Sequence, residues 1–192
     1  SAIKRGTWLD NLITTTANLG ITAPSFWIGV LMIYLFALKL GWLPVQGYVS
    51  PFTDFWQSFR LAVMPVTVLA IAPIASLCRQ TRSSMLEVTR QDYVRTAKSK
   101  GLREDLIIRR HMLKNALMPV ITLLGMQVRV VFGGAVIIET VFNIPGMGRM
   151  MVDAVFGQDY TIVQAVALMM AVIVILSNLI VDFGYGWLDP RI

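Results

Sequence analysis

Four long apolar runs alternate with polar segments along the chain: Leu19–Leu40, Leu61–Leu77, Ala116–Ile138 and Val163–Val181. About 20 consecutive, mostly apolar residues are needed for a helix to cross the hydrocarbon core of a bilayer. Three of the runs are long enough, and the second reaches this length with its helical flanks. The pattern predicts an all-α integral membrane protein in one domain, residues 1–192, with transmembrane helices near 12–40, 60–88, 112–140 and 160–187.

A short polar helix is predicted in the middle of the chain, within the stretch DYVRTAKSKG that ends at Gly101. Thr89 and Asp92 have the spacing of a capping box at its start. A glycine directly after a helix commonly adopts the left-handed backbone that closes the C-terminal end. Between these signals lie about three helical turns. We expect Ala97 and Gly101 to form a low surface that suits docking into a groove of another protein.

The distribution of positive charge predicts which side of the membrane this helix faces. The chain is 56% hydrophobic and 15% charged, with a net charge of +6. Soluble domains usually carry about 25% charged residues. Most lysines and arginines fall in the segment 89–111, beside it, or near the chain ends, and such an excess marks the cytoplasmic side. We therefore expect cytoplasmic termini, outward loops near 41–60 and 140–161, and no nucleic-acid partner. A basic loop resting on anionic lipid heads is the alternative interpretation of the segment.

One charge lies inside the third apolar run. Arg129 is spaced four residues from both Gly125 and Gly133, so the three positions share one helix face. A charge at bilayer depth costs about 3 kcal/mol on insertion scales and usually faces a cavity or a partner. We expect Arg129 to line a pathway and attract a carboxylate, or else to pair with a partner subunit. Glu139, at the outer end of the same run, is a further candidate for the pathway or a gate.

The segment after Glu139 predicts a short helix lying in the membrane interface. NIPGMG is rich in turn residues, and RMMVDAVF places several apolar side chains on one stripe. A connector that merely rests on the membrane is the alternative.

Enzymatic and metal-dependent functions are not favoured by the sequence. His111 is the single histidine and Cys78 the single cysteine, whereas metal sites need several ligands. The apolar runs hold few polar residues and no nucleophile–base pair, which argues against an intramembrane enzyme. A nucleotide-binding P-loop is absent from the sequence. We therefore predict no catalytic residue, metal or cofactor bound by this chain.

Several segments carry a recognisable pattern in order along the chain: PSFWIG, GWLP, DYVRTAKSKGL, RRHMLKNALMPVIT, ETVFNIPGMGRMMVDAV, QDYTIVQAV and LDPRI. Together they resemble the permease subunits of ATP-binding cassette importers, in the branch for dipeptides, oligopeptides and nickel. The general loop pattern of these permeases is EAA, three residues, G, nine residues, I, x, LP. Here Arg95, Thr96 and Ala97 occupy the EAA positions, Gly101 follows at the required spacing, and Lys114 replaces the proline.

The resemblance implies the partners and the location of the protein. In such importers an extracytoplasmic binding protein delivers substrate to two homologous permease subunits in the bacterial or archaeal cytoplasmic (inner) membrane. Two cytoplasmic ATPase subunits bind ATP-Mg and drive transport. The loop at 89–111 would then be the coupling segment that sits on an ATPase, whereas a stand-alone channel needs no such dock.

The resemblance also implies site residues and a substrate class. The coupling candidates are Asp92, Tyr93, Arg95, Thr96, Ala97, Lys100 and Gly101. The candidates for a binding-protein dock or outer gate are Pro145, Gly146, Gly148 and Asp153. Di- and oligopeptides are the expected substrates, with nickel chelates, glutathione or another small solute as alternatives. Complete subunits of this branch have six helices, so we expect the chain to be a fragment or a truncated product without the first two.

Overall fold

The computed structural model describes residues 20–188, together with Trp8, Thr15 and Asn18. The side chains of His111, Arg129, residues 132–134 and residues 184–188 are outside this description. The described part of the chain is helical and contains no strand, which confirms the all-α class. Its elements are α1 (Ser25–Met32), π1 (Ile33–Lys39), α2 (Phe55–Thr89), α3 (Asp92–Ser99), α4 (Glu104–Leu106), π2 (Ile107–Met112), α5 (Leu113–Val141), α6 (Met147–Phe156) and α7 (Tyr160–Leu188).

The first apolar run does not form one continuous helix as predicted. Its backbone leaves the helical conformation at Ala23 and Pro24, and α1 begins at Ser25. Pro24 has an extended backbone with ψ of 132° and stands at the N-cap of α1. Because a proline ring disfavours helical geometry in the residue before it, the break falls where the sequence places the proline. The helix predicted near 12–40 is therefore interrupted at Pro24.

The longest helix is α2, which has 35 residues. It begins where the Asp54 carboxylate accepts a hydrogen bond from the Gln57 amide at 3.0 Å, a side-chain cap that satisfies one free N–H group. At about 1.5 Å per residue it measures roughly 52 Å, longer than the hydrocarbon core. Its last part, from Arg79 onwards, carries the polar residues that precede α3. The helix therefore extends beyond the apolar layer toward α3.

The centre of the fold is the antiparallel pair α2 and α5, and α1, α6 and α7 also pack against α5. One buried cluster joins Met64 and Val68 of α2 to Ile138 and Phe142, and we call this the α6 end. A second buried cluster lies at the opposite end, where α3 and π2 pack between the end of α2 and the start of α5. We call this the α3 end. The two clusters fix the ends of the helix pair independently.

Two described helices have the length and apolar composition to cross a membrane, Phe55–Thr89 and Tyr160–Phe183. The side chains of α7 are largely exposed, including those of Leu168, Ile175 and Ile180. A soluble monomer rarely exposes so continuous an apolar surface. The fold is therefore that of a membrane protein, and the count of four transmembrane helices stays a prediction.

Candidate functional site

The C-terminal end of α3 is closed by Gly101, as the sequence predicts. Gly101 has φ of +72°, the left-handed conformation that glycine adopts without strain. Its N–H group donates to the Lys98 carbonyl at 2.9 Å, and the N–H group of Leu102 donates to the Ala97 carbonyl at 3.3 Å. These two bonds form a Schellman motif, which satisfies carbonyls that the helix end leaves free. The end of α3 is therefore fixed by its own backbone.

The N-terminal end of α3 differs from the predicted capping box. Gln91 stands at the N-cap, and no side chain bonds to the first turn there. Thr89 belongs to α2, where its hydroxyl donates to the Met85 carbonyl at 2.7 Å. A threonine near a helix end can bond back to the carbonyl four residues earlier, and here that bond takes the hydroxyl away from α3. Asp92 supplies only its negative charge to the first turn, where it favours the helix dipole.

One face of α3 is buried in the α3-end cluster. Val94 is 1% exposed and Ala97 is 7% exposed. Both pack among apolar side chains of the neighbouring elements, Met85, Val88, Ile107, Met112 and Ala116. The expectation that Ala97 forms an accessible docking surface is therefore wrong, because its methyl group faces the protein's own interior. The small side chain instead lets α3 lie close to α2 and π2.

The other face of α3 is exposed and positively charged. Arg95, Lys98 and Lys100 are exposed, and so is Gly101. None of these three cations has a carboxylate within 4.0 Å among the residues that the structure describes. The Thr96 hydroxyl donates to the Asp92 carbonyl at 3.0 Å, so it serves the helix itself. The face that α3 offers to another molecule is therefore formed by cationic side chains, and not by the small residues Ala97 and Gly101 alone.

Tyr93 ties α3 to α5 directly. Its hydroxyl oxygen accepts a hydrogen bond from the side-chain amide of Asn115 at 3.0 Å. The Tyr93 ring is 39% exposed, so it lies at the boundary between the buried and the exposed faces. Asn115 lies in the first turn of α5. With this bond and the apolar cluster, α3 contacts both helices of the central pair.

The glycine-rich segment at the α6 end forms a second candidate site. Gly146 is the N-cap of α6, and the Glu139 carboxylate accepts a hydrogen bond from the Arg149 amide at 2.8 Å. A cavity of about 1020 Å³ opens beside this turn, and Pro145, Gly146 and Asp153 contribute to its walls. Gly148 lies in the first turn of α6 and is buried against α5, so it does not offer a surface to a partner. Of the predicted dock residues, Pro145 and Asp153 are exposed.

The whole chain, residues 1–192, matches the family model of binding-protein-dependent transport system inner membrane components. The chain belongs to this family. Because members of this family are inner membrane components of transport systems, the membership accounts for the apolar helices.

Several proteins similar to this chain are named as peptide permeases. A putative peptide permease protein of Brucella suis is 42% identical over 100% of this chain and 61% of its own length. An oligopeptide transport system permease protein of Bacillus subtilis is 41% identical over 96% of this chain and 59% of its own length. A di/tripeptide transport system permease protein of Pseudomonas aeruginosa is 40% identical over 100% of this chain and 63% of its own length. The chain spans about three fifths of the length of these curated relatives.

The residues predicted to line a pathway are only partly described. Gly125 is buried, and a Cβ atom there would lie 2.9 Å from a methyl carbon of Val181 in α7. Because Gly125 has no side chain, α5 and α7 can approach each other closely there. The side chain of Arg129 and the surroundings of Gly133 are outside the description. No group of three or more histidine, cysteine, aspartate or glutamate side chains among the described residues is placed to hold a metal ion.

Three contributions to these sites were missed by sequence reasoning: the burial of Val94, the bond from Asn115, and the contact between Glu139 and the α6 glycines. Val94 and Ala97 are three residues apart, which is a helical spacing for one buried face, so that signal was present. The other two contributions depend on how separate elements pack, and nothing in the local pattern indicates them.

Proposed function

We propose that this chain forms membrane-spanning permease structure in an ATP-driven importer that receives substrate from an extracytoplasmic binding protein. The observation that carries the proposal is α3, a short helix fixed to both α2 and α5 with a cationic face turned outward. Anionic lipid heads would attract such charge without requiring a fixed shape. A defined, anchored helix is what a partner protein needs in order to push on the transmembrane helices.

The coupling proposal assigns the two faces of α3 different roles. Arg95, Lys98 and Lys100 pair with acidic groups at the rim of an ATPase groove, because their cationic groups are exposed and have no carboxylate close by among the described residues. Val94 and Ala97 hold the helix to the permease. Movement of the ATPase therefore reaches α2 through the apolar cluster and α5 through Tyr93.

The partner set of the proposal follows the importer architecture. A second homologous permease subunit completes the pathway, two ATPase subunits bind ATP-Mg, and the binding protein docks near the turn at Pro145 and Asp153. The bilayer surrounds the apolar helices in the cytoplasmic membrane, and the α3 end faces the cytoplasm because the cationic residues concentrate there. Nucleic acid has no role.

Di- and oligopeptides are the proposed substrates, since the similar permeases from Bacillus subtilis and Pseudomonas aeruginosa are named for oligopeptides and di/tripeptides. Nickel chelates, glutathione and other small solutes are the alternative cargo for the same machinery. Arg129 is proposed to face the pathway, where its charge would attract a substrate carboxylate.

Reconstitution of the complete transporter in liposomes tests the proposal. ATP hydrolysis is measured with the unliganded binding protein and with the same protein loaded with dipeptides, longer peptides, nickel chelates or glutathione. We expect peptide-loaded protein to stimulate hydrolysis and uptake together, with no uptake when the ATPase subunits are omitted. Uptake that proceeds without ATPase subunits would contradict an importer, and stimulation by a non-peptide ligand alone would reassign the substrate.

A further inference from the structure

A carboxylate at the end of α5 lies where the start of α6 lacks a side-chain cap. Glu139 lies in the last turn of α5, and Gly146 precedes the first residue of α6. The N–H group of Arg149, the third residue of α6, donates to the Glu139 carboxylate at 2.8 Å. That N–H group is one of those that a serine, threonine or aspartate at the N-cap would normally satisfy. Glycine has no side chain with which to do so.

Gly146 makes room for this carboxylate, whereas Gly148 mainly makes room for Val136 of α5. The three nearest atoms that a Cβ on Gly146 would meet all belong to the carboxyl group of Glu139, and the closest of them would overlap it. A Cβ on Gly148 would lie 3.1 Å from a Glu139 carboxylate oxygen and 2.9 Å from the backbone Cα of Val136. The φ of Gly146 is −104° with ψ of 173°, an extended conformation open to any residue. Space for the carboxylate, rather than backbone strain, therefore explains glycine at 146.

The carboxylate acts on the backbone of α6 rather than on a cationic side chain. The Arg149 guanidinium faces other partners, with its Nε 3.8 Å from Asp153 and one Nη bonded to the Asn143 side chain. A negative charge at the first turn of a helix is also favoured by the helix dipole. Both effects are lost together if the carboxyl group is removed.

We propose that Glu139 is a positioning residue that fixes α6 to the end of α5, by capping α6 from seven residues before its glycine N-cap. Through Gly146 the same carboxylate sets how closely the start of α6 lies against α5. This role differs from the pathway or gate role predicted for Glu139, because its partner is the protein's own backbone.

A double-mutant cycle tests the proposal without reference to transport. Glu139→Ala removes the cap, and Gly146→Ser collides with the carboxylate, so each single variant should loosen the first turn of α6. The double variant should recover, because the introduced serine side chain enters the vacated space and supplies the usual N-cap bond. Amide hydrogen exchange over residues 144–151 is measured in the full-length subunit within its complex. We expect Glu139→Ala to speed exchange about twofold to thirtyfold, the range for losing one cap, and the double variant to return within about twofold of the parent.

Gly148→Ser provides the matched control. Its added side chain would still meet the Val136 backbone after Glu139 is shortened, so combining it with Glu139→Ala should restore nothing. If slow exchange returns in the Glu139→Ala/Gly146→Ser variant but not in the Glu139→Ala/Gly148→Ser variant, the result supports the cap. Exchange in the Glu139→Ala/Gly146→Ser variant that stays as fast as in Glu139→Ala overturns it.

The transport readout of the same cycle rests on the proposed function. Uptake that recovers together with slow exchange, equally for anionic and cationic peptides, supports positioning as the duty of Glu139 in transport. Uptake that stays lost after exchange has recovered overturns that duty. If the exchange cycle succeeds in a protein that transports nothing under any condition, the cap stands and the importer proposal fails.

Discussion

Gly101 offers the sharpest test of whether the shape of α3 matters for coupling. Its φ of +72° strains any residue with a Cβ, yet an added Cβ would meet no atom within 4 Å. Substitution therefore changes the backbone preference without causing a collision inside this chain. A left-handed residue costs about 1–2 kcal/mol for ordinary amino acids, less for asparagine and more for β-branched side chains.

These costs predict an order for three variants. Gly101→Asn should be nearly neutral, Gly101→Ala should lose about 1 kcal/mol, and Gly101→Val should lose about 2 kcal/mol or more. At 1.4 kcal/mol per factor of ten, the population of α3 with a closed end falls about fivefold for alanine and about thirtyfold for valine. An eight-residue helix has little stability of its own, so the loss falls directly on α3.

The assay is the ratio of substrate transported to ATP hydrolysed in proteoliposomes, together with amide exchange over residues 92–102. We expect the substrate transported per ATP to fall, and amide exchange over residues 92–102 to become faster, in the order asparagine, alanine, valine. Membrane insertion should stay intact. Gly41→Val is the matched control, because Gly41 also has a positive φ of +64° and open space around it but lies far from α3 in the chain. If Gly101→Asn is more damaging than Gly101→Ala, side-chain bulk against the ATPase decides the outcome and the backbone reasoning is refuted.

Three further substitutions probe the remaining contacts. Ala97→Asp buries a carboxylate in the α3-end cluster and should undock α3 and uncouple hydrolysis from uptake, seen as faster amide exchange over residues 92–102. Ser99→Asp on the exposed face should leave that exchange close to that of the wild type. Tyr93→Phe removes the bond from Asn115, worth about 1 kcal/mol, and should lower transport per ATP without adding to the effect of Asn115→Ala; fully additive losses would contradict the pairing. Arg129→Gln should reduce uptake of anionic peptides selectively, and an equal loss for every peptide, or none, would count against a pathway role.

The sequence alone predicted the long apolar helices and the backbone conformation that a single glycine favours. The apolar runs predicted helices because backbone groups inside a bilayer have few other ways to satisfy their hydrogen bonds. The left-handed turn at Gly101 was predictable because glycine is the residue that reaches it without strain. At Pro24 the apolar composition predicted an unbroken helix, because composition alone does not reveal where a proline interrupts the backbone.

The sequence did not predict the contacts between separate helices. Thr89 had the spacing of a cap, but α2 continued far enough to use its hydroxyl. Ala97 looked accessible because its neighbours in the chain are charged, and only the packing of α2 and π2 buries it. The carboxylate of Glu139 and the glycine at 146 carry no shared pattern, since their relation exists only after α6 folds back onto α5. Predicting them requires the tertiary arrangement itself.

The burial of Ala97 strengthens the case for α3 as a transmitting element. A helix that used its small face to dock on an ATPase would have only its charges left to hold it to the permease. In the structure Val94 and Ala97 fasten it to the α3-end cluster, and the Tyr93 bond reaches α5 separately. Because α2 and α5 also share the cluster at the α6 end, a displacement of α3 acts on helices that are joined again at their opposite ends. Force applied to the cationic face of α3 therefore passes first through the buried side of α3 to the α3-end cluster, and then along α2 and α5 to the cluster at the α6 end.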